Sequence, residues 1–388
     1  MNRIAIPAFI AAFVLYFFSL YVYMPILPAF VASRSPRLAD VGVVLAMYGL
    51  WTAILRMPMG IAADLSGRNR PFLIGGSLLA AAGAAVMVGG ASLGTLVMGR
   101  ALTGAAAAAW VPMMAVFAAY FPPSRAIFAT SLLSLASSLG QIIGTISTGF
   151  IETRGGAEAV FLVAIGFGVA AAAIFAAIGL PSNAARRAES ISARSILSVF
   201  RRRDVIVPSI VNALCQFGVW ALTFGFMPLL AHGMGASAGE AGLIMTLNIA
   251  ANMAANLFAT LRADRGHRRL MLYGSFALFA IGAMLAAFGG NLAFLFASTL
   301  LMGLANGLLF PILLGLSIQY VDGPRRATAM GIHQAVYAIG MVTGPWAAGL
   351  IADALGIRPM FAIIGIIAFV GAGSMILLYA PPGSRSTN

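Results

Sequence analysis

Gly60-Ile61-Ala62-Ala63-Asp64-Leu65-Ser66-Gly67-Arg68-Asn69-Arg70 and, 200 positions further on, Asp264-Arg265-Gly266-His267-Arg268-Arg269 are two copies of one short polar loop, each set between long apolar runs. Gly60 permits close helix approach and Gly67 a tight turn, while Asp64 can pair with Arg68 or Arg70 or face a helix N-terminus. Apolar stretches of about 20 residues, long enough to cross a hydrocarbon core as a helix, flank both copies and recur along the chain. They centre on 4 to 28, 40 to 62, 71 to 91, 93 to 118, 126 to 150, 157 to 180, 205 to 231, 238 to 260, 270 to 288, 291 to 318, 327 to 351 and 358 to 380. The expected fold is an all-α membrane protein with twelve transmembrane helices.

The displacement of the loops extends to the rest of the sequence. Tyr120, Arg125, Gly140, Gly144, Gly149 and Phe161 match Tyr320, Arg325, Gly340, Gly344, Gly349 and Phe361 at one offset. Met24-Pro25 recurs as Met227-Pro228, and Pro112 as Pro311. Self-similarity of this kind marks a duplicated unit, so the chain divides into a six-helix bundle over 1–180, a linker over 181–204 and a second six-helix bundle over 205–388. The linker is the most polar stretch and ends in Arg201-Arg202-Arg203-Asp204. Residues 186–203 can be read as an amphipathic helix on anionic headgroups or as a solvated tether.

Hydrophobic residues make up 61% of the 388 and charged residues 9%, with a mean hydropathy of +0.98; water is not the main solvent. The net charge of +13 comes from 23 basic residues, all arginine. If both termini are cytoplasmic, 17 arginines fall on that side, four (Arg34, Arg37, Arg154, Arg358) on the other, and Arg56 and Arg100 within helices. The asymmetry follows the positive-inside rule, and it accounts for the basic charge without a nucleic-acid partner. The first apolar segment lacks a small-residue cleavage site and reads as a retained helix rather than a signal peptide. Cys215, the one cysteine, excludes an internal disulfide and a multi-cysteine metal site.

The paired loops resemble the signature of the major facilitator superfamily, with Leu65 and Asn69 standing where basic residues are usual. Arg100-Ala101-Leu102-Thr103-Gly104 resembles the family's helix 4 motif. Gly140, Gly144 and Gly149 resemble the glycine-rich motif of its drug:proton antiporters, with Thr145 in place of proline; helix 11 keeps Gly340, Gly344, Pro345 and Gly349, and close contact at the small residues with a bend at the proline gives these positions a packing and gating role. The likeness covers the whole chain and is greatest to twelve-helix drug:proton antiporters and sugar-efflux-type permeases. It implies two pseudo-symmetric bundles with cytoplasmic termini, no enzymatic activity, and alternating access at the cell inner membrane. In the family the loop charges lock the cytoplasmic side, which assigns gating to Gly60, Asp64, Gly67, Arg68, Arg70, Asp264, Arg265 and Arg268. Arg100 inherits a role in proton coupling.

A charge at mid-bilayer is unfavourable enough to be a functional candidate by default. Arg56 lies eight residues before Asp64, too deep to snorkel well. Tyr48, Thr52, Arg56, Gly60 and Asp64 share one helix face; Asn248, Asn252, Asn256, Thr260 and Asp264 share the matching one. Arg56 can line the solute path and receive an anionic or carbonyl group, or can clasp helices through backbone carbonyls. Further path candidates are Tyr23, Arg100, Gln141, Asn212, Gln216, Asn252 and Asn256.

All ten acids lie at helix ends or in loops, which leaves Arg100, Glu240 and His333 as proton-coupling candidates. The expected function is proton-coupled efflux of a drug or metabolite by a monomer, with an organic-anion carrier using Arg56 and Arg100 as the alternative. No His-Glu-x-x-His, cysteine–histidine set or serine elbow supports a membrane-embedded enzyme. No metal and no cofactor is expected; the partners are a small-molecule substrate, protons and the lipid bilayer.

Overall fold

Proline and glycine decide where the helices break. The computed structural model describes residues 4–90, 92–122, 125–181, 198–262, 268–321 and 326–378. Near the repeated Met-Pro pairs the first apolar run splits into α1 (Ala5–Tyr21) and α2 (Leu27–Ala32), and the seventh into α8 (Arg203–Gly218), a π-helical stretch Val219–Phe226, and α9 (Met227–Gly233). A proline nitrogen cannot donate to the preceding turn, so the chain restarts there. Between them run α3 (Leu38–Ser66), α4 (Arg70–Gly89), α5 (Leu93–Ala108), α6 (Trp110–Ala118) and α7 (Ala126–Ala177). Gly156, at φ 72°, divides α7 where the sequence separates its fifth and sixth apolar runs. The second half continues with α10 (Ala238–Arg262), α11 (Arg268–Phe288), α12 (Leu292–Ile318), α13 (Arg326–Leu355) and α14 (Ile357–Leu378).

Among the described residues, nine helices are long and apolar enough to cross a membrane, with Ala5–Tyr21 and Ile357–Gly371 as shorter apolar helices. Residues 182–197 lie outside the described residues, and with them most of the segment 186–203 read as an amphipathic helix.

The repeated glycines explain how each half packs. A Cβ on Gly140 would sit 2.8 Å from Phe17 Cβ on α1, and one on Gly340 would sit 2.8 Å from the Phe217 nitrogen on α8. Gly144 and Gly344 press on the same two helices. Small residues let backbones approach when lipid supplies no hydrophobic drive. Gly340→Leu should therefore destabilise the second bundle by about 1–3 kcal/mol through overpacking; a detergent-solubilised variant melting with the parent would contradict this.

Contacts between the halves concentrate at the arginine-poor rim. There Gly42 on α3 meets Gly349 and Pro345 on α13, and Gly149 on α7 meets Gly239 on α10. The Leu38 nitrogen donates to Asp353 Oδ1 at 2.9 Å, and the hydroxyls of Thr145 and Thr246 lie 2.7 Å apart. Toward the arginine-rich rim the same helices part. A Cβ on Gly60 would meet only Val111 of its own half, and one on Gly331 no atom within 4 Å.

Candidate functional site

At mid-depth, where the halves begin to diverge, polar and aromatic groups from both bundles meet. The α3 face reads Tyr48, Thr52, Arg56, Gly60. Gly104 lets α5 lie against it: a Cβ there would come 2.9 Å from Tyr48 Cα. The Thr52 hydroxyl is 2.6 Å from the Tyr48 carbonyl and 2.9 Å from that of Gly104. This close contact sets Tyr48 over Arg100, whose guanidinium carbon is 4.4 Å from the ring centroid, a cation–π arrangement.

Arg100 is 1% exposed, and its Nη1 reaches Thr103 Oγ1 only at 3.5 Å. Arg56 is half-buried and donates from Nη1 to the Tyr337 hydroxyl at 2.6 Å, across the seam from α3 to α13. Both arginines carry a buried Nε without a hydrogen-bond partner, and the buried Tyr23 hydroxyl also lacks one. Among the described residues neither arginine pairs with a carboxylate. Two guanidinium charges held in a low-dielectric interior without a counter-charge are an anion-receptive arrangement.

Aromatic rings complete the seam. Tyr48 stacks on Trp220 of the π-helical stretch at 5.2 Å; Trp220 meets Phe224 at 5.1 Å, and Phe224 meets Tyr21 at 6.3 Å. Tyr337 packs edge-on to Phe310 and to His333. Tyr48, Ala107, Tyr337 and Met341 form one apolar cluster with Trp220 and Phe310, drawn from both halves. Planar rings beside a guanidinium suit a flat solute with an anionic end.

The sequence candidates separate into groups. Arg56 and Arg100 converge around Tyr48, and the buried Tyr23 stacks on Phe161 within the first half. Asn212 joins His333 at 2.9 Å, and Gln216 donates to Asn306 at 3.2 Å, so both serve contacts within the second half. Gln141 is half-buried on α7. Asn252 and Asn256 are half-buried on α10, where Gly307 of α12 packs against the Asn252 backbone. Neither is part of the cluster around Tyr48 and Tyr337. Their neighbour Asn248 donates to the Thr299 carbonyl, a helix clasp. Glu240 lies at the arginine-poor rim and forms a reciprocal cap with Ser237.

The first gate loop follows α3 at the parted rim. Gly67 ends α3 at φ 60°, Arg68 is exposed, and Arg70 donates to the Ile178 carbonyl at 2.7 Å within its own half. The side chain of Asp64, all of Asp264 and Arg265, and the Arg268 side chain lie outside the described residues. Among the described residues, the contacts that join the two halves are Gly42 to Gly349, Gly149 to Gly239 and their neighbours at the other rim. Thr145, in the place expected for proline, supplies one of the closing hydroxyls.

Tyr337, Trp220 and Ser209 were not singled out by sequence reasoning. Tyr337 lies one helical turn from His333, the only signal that could have found it.

Comparison with known proteins agrees with this architecture. The profile of the Major Facilitator Superfamily matches residues 9–235 and again 209–388. The quinolone resistance protein NorA of Staphylococcus aureus is 23% identical over 168 residues, 43% of this chain and 43% of NorA; the chain thus spans less than half the length of that relative. A crystal structure of the nucleoside transporter NupG, a point mutant, superposes with a TM-score of 0.82 at 12% identity, covering 96% of this chain and all of that one. A bacterial homolog of the human lysosomal transporter Spinster, inward-facing and occupied, gives 0.78 at 15% identity over 97% of this chain and 98% of the other. With the family profile matching both halves and the fold shared along nearly the whole length, the chain belongs to the major facilitator superfamily of transporters and is a multi-pass membrane protein.

Proposed function

We propose that this chain moves a small aromatic organic anion across the cell inner membrane by alternating access, with the solute held between Arg56 and the aromatic rings of the seam. The observation that carries this reading is the pair of arginines, Arg100 buried and Arg56 half-buried, without carboxylate partners among the described residues and set among rings from both halves. An incoming carboxylate or sulfonate supplies the missing counter-charge, and the halves rocking about that point expose it to either side. Twelve crossings with both termini on the cytoplasmic side place the arginine-rich rim inward, so the described conformation is the inward-open one. The unit is a monomer with no nucleic-acid partner.

The match to NorA favours a second reading, proton-coupled efflux of drug-like compounds. The two overlap chemically, since quinolones are planar aromatic carboxylates. A flux assay in proteoliposomes separates them. It uses 2-naphthalenesulfonate, its neutral sulfonamide and the 2-naphthyltrimethylammonium cation, each with and without a pH gradient. Preferred movement of the sulfonate is expected. Cation efflux driven by inward protons, with the sulfonate inert, would replace the first reading by the second.

A further inference from the structure

A hydrogen-bond chain in the second half leaves one buried atom unpaired, and that atom bears on what His333 can do. His333 is fully buried. Its Nδ1 lies 3.0 Å from Ser209 Oγ, and its Nε2 lies 2.9 Å from Asn212 Nδ2. The Ser209 hydroxyl donates to the Val205 carbonyl at 2.7 Å. Its oxygen must therefore accept from His333, which puts a proton on Nδ1. The unprotonated Nε2 accepts from the Asn212 amide, and the ring is neutral. Asn212 Oδ1, also buried, has no partner, an uncommon condition for an amide oxygen.

A half-turn of the Asn212 amide exchanges its oxygen and nitrogen in place. The oxygen then accepts from an Nε2–H, and the ring holds both protons and one positive charge. No other atom has to move, and one amide atom is unpaired in either state. The pocket therefore accommodates imidazole and imidazolium with the same packing, which a clasp for a permanently neutral histidine would not need.

The second link runs toward the solute. One turn along α13, the Tyr337 ring lies 6.1 Å from the His333 ring and its hydroxyl takes the hydrogen bond from Arg56. The titratable and charged groups on the packed elements are few. From α3 come Arg56 and Tyr48 at mid-depth, Asp40 at the arginine-poor rim, and Asp64 at the opposite end. From α8 come Arg203, Cys215 and Asp204, which pairs with Arg202 at 2.7 Å. From α14 comes Arg358, bonded to the carbonyls of Ala287 and Gly289. Helix α12 and the π-helical stretch bring none, and α13 itself adds Arg326 and Asp353 at its ends.

We propose that His333 takes up one proton together with the anion held at Arg56, so that proton and solute travel in the same direction. This rests on the anion reading above. An imidazolium and Arg56 would flank Tyr337 with no carboxylate between them, and like charges so placed oppose each other. An anion in the seam removes that opposition. Proton binding therefore favours anion binding, and the reverse holds by the same factor. The empty neutral site and the doubly loaded site are the favoured states, which is the requirement for coupled movement. The proton comes from water at the parted rim, binds Nε2, and leaves from the same atom after the halves reverse.

The test uses the purified full chain in proteoliposomes with 2-naphthalenesulfonate, a strong acid that carries no proton of its own. Sulfonate influx is followed by its fluorescence, and lumenal pH by a trapped dye. The expected result is lumenal acidification with about one proton per sulfonate, insensitive to a clamped membrane potential. His333→Gln and, separately, Asn212→Leu should lower the proton-to-sulfonate ratio at least tenfold, whatever the rate. Lumenal alkalinisation during influx, or an unchanged ratio in a folded His333→Gln, would overturn the proposal while leaving the anion reading in place. Should neither variant fold, the stoichiometry of the parent decides. Absence of sulfonate movement by the folded parent would overturn the anion reading and this inference together.

Discussion

Arg56→Ala should lower the rate of 2-naphthalenesulfonate transport by about 10- to 100-fold, the loss of one charge-assisted contact of roughly 1.5–3 kcal/mol. The variant removes the guanidinium that bridges to Tyr337 at 2.6 Å and half of the uncompensated positive charge in the seam. Arg56→Lys keeps the charge but not the planar fork that bonds tyrosine and anion together, and should fall between alanine and parent. If Arg56 were only a structural clasp, Tyr337→Phe would match alanine in stability and the residual transport would keep its affinity for the sulfonate. The discriminating readout is that affinity: it should fall in Arg56→Ala and hold nearer the parent value in Tyr337→Phe, where the guanidinium remains.

Gly149→Leu should abolish most transport without unfolding either bundle. Gly149 meets Gly239 of the other half at the closed rim, so added bulk opposes closure alone. Overpacking of about 1–3 kcal/mol, applied to one conformation, shifts its population by roughly 5- to 150-fold. Gly42→Leu, against Gly349 and Pro345, should act alike by the pseudo-symmetry. In both variants a thiol placed at the arginine-poor rim becomes more accessible to a water-soluble reagent, while melting temperature stays near the parent. Unchanged accessibility would show that the glycine contacts do not hold that rim shut. Gly340→Leu makes the contrast, since its neighbours lie in its own half and its effect falls on stability.

Much of this arrangement could be read from residues because the relevant signals are local. Twenty-residue apolar runs give the helices directly, whereas the breaks beside the Met-Pro pairs and at Gly156 emerge only in the structure. The depth of Arg56 and Arg100 follows from counting along a helix. The repeated glycines at an offset of about 200 foretold close packing, yet not its division of labour: Gly140 and Gly340 pack within a half, Gly149 and Gly349 between halves. That distinction depends on the relative placement of the bundles, to which helical periodicity is blind. Asn256 holds the position in the second half that matches Arg56 in the first, while Arg56 itself bonds to Tyr337. Pseudo-symmetry relates positions but does not make them touch, and α10 turns the Asn252 backbone against Gly307 rather than toward α3. Tyr337 and Trp220 were hidden among many aromatic residues in apolar helices, and only the three-dimensional meeting of α3, α13 and the π-helical stretch singles them out.

The rocking of two halves about a shared solute site is tested most directly by holding one rim shut. In a Cys215→Ala background the chain has no native cysteine, and Leu38→Cys with Asp353→Cys places a thiol pair where the Leu38 nitrogen and Asp353 Oδ1 now lie 2.9 Å apart. The expected result is sulfonate flux that falls to background when the pair is oxidised and returns on reduction. Undiminished flux through fully cross-linked protein would contradict alternating access in this chain.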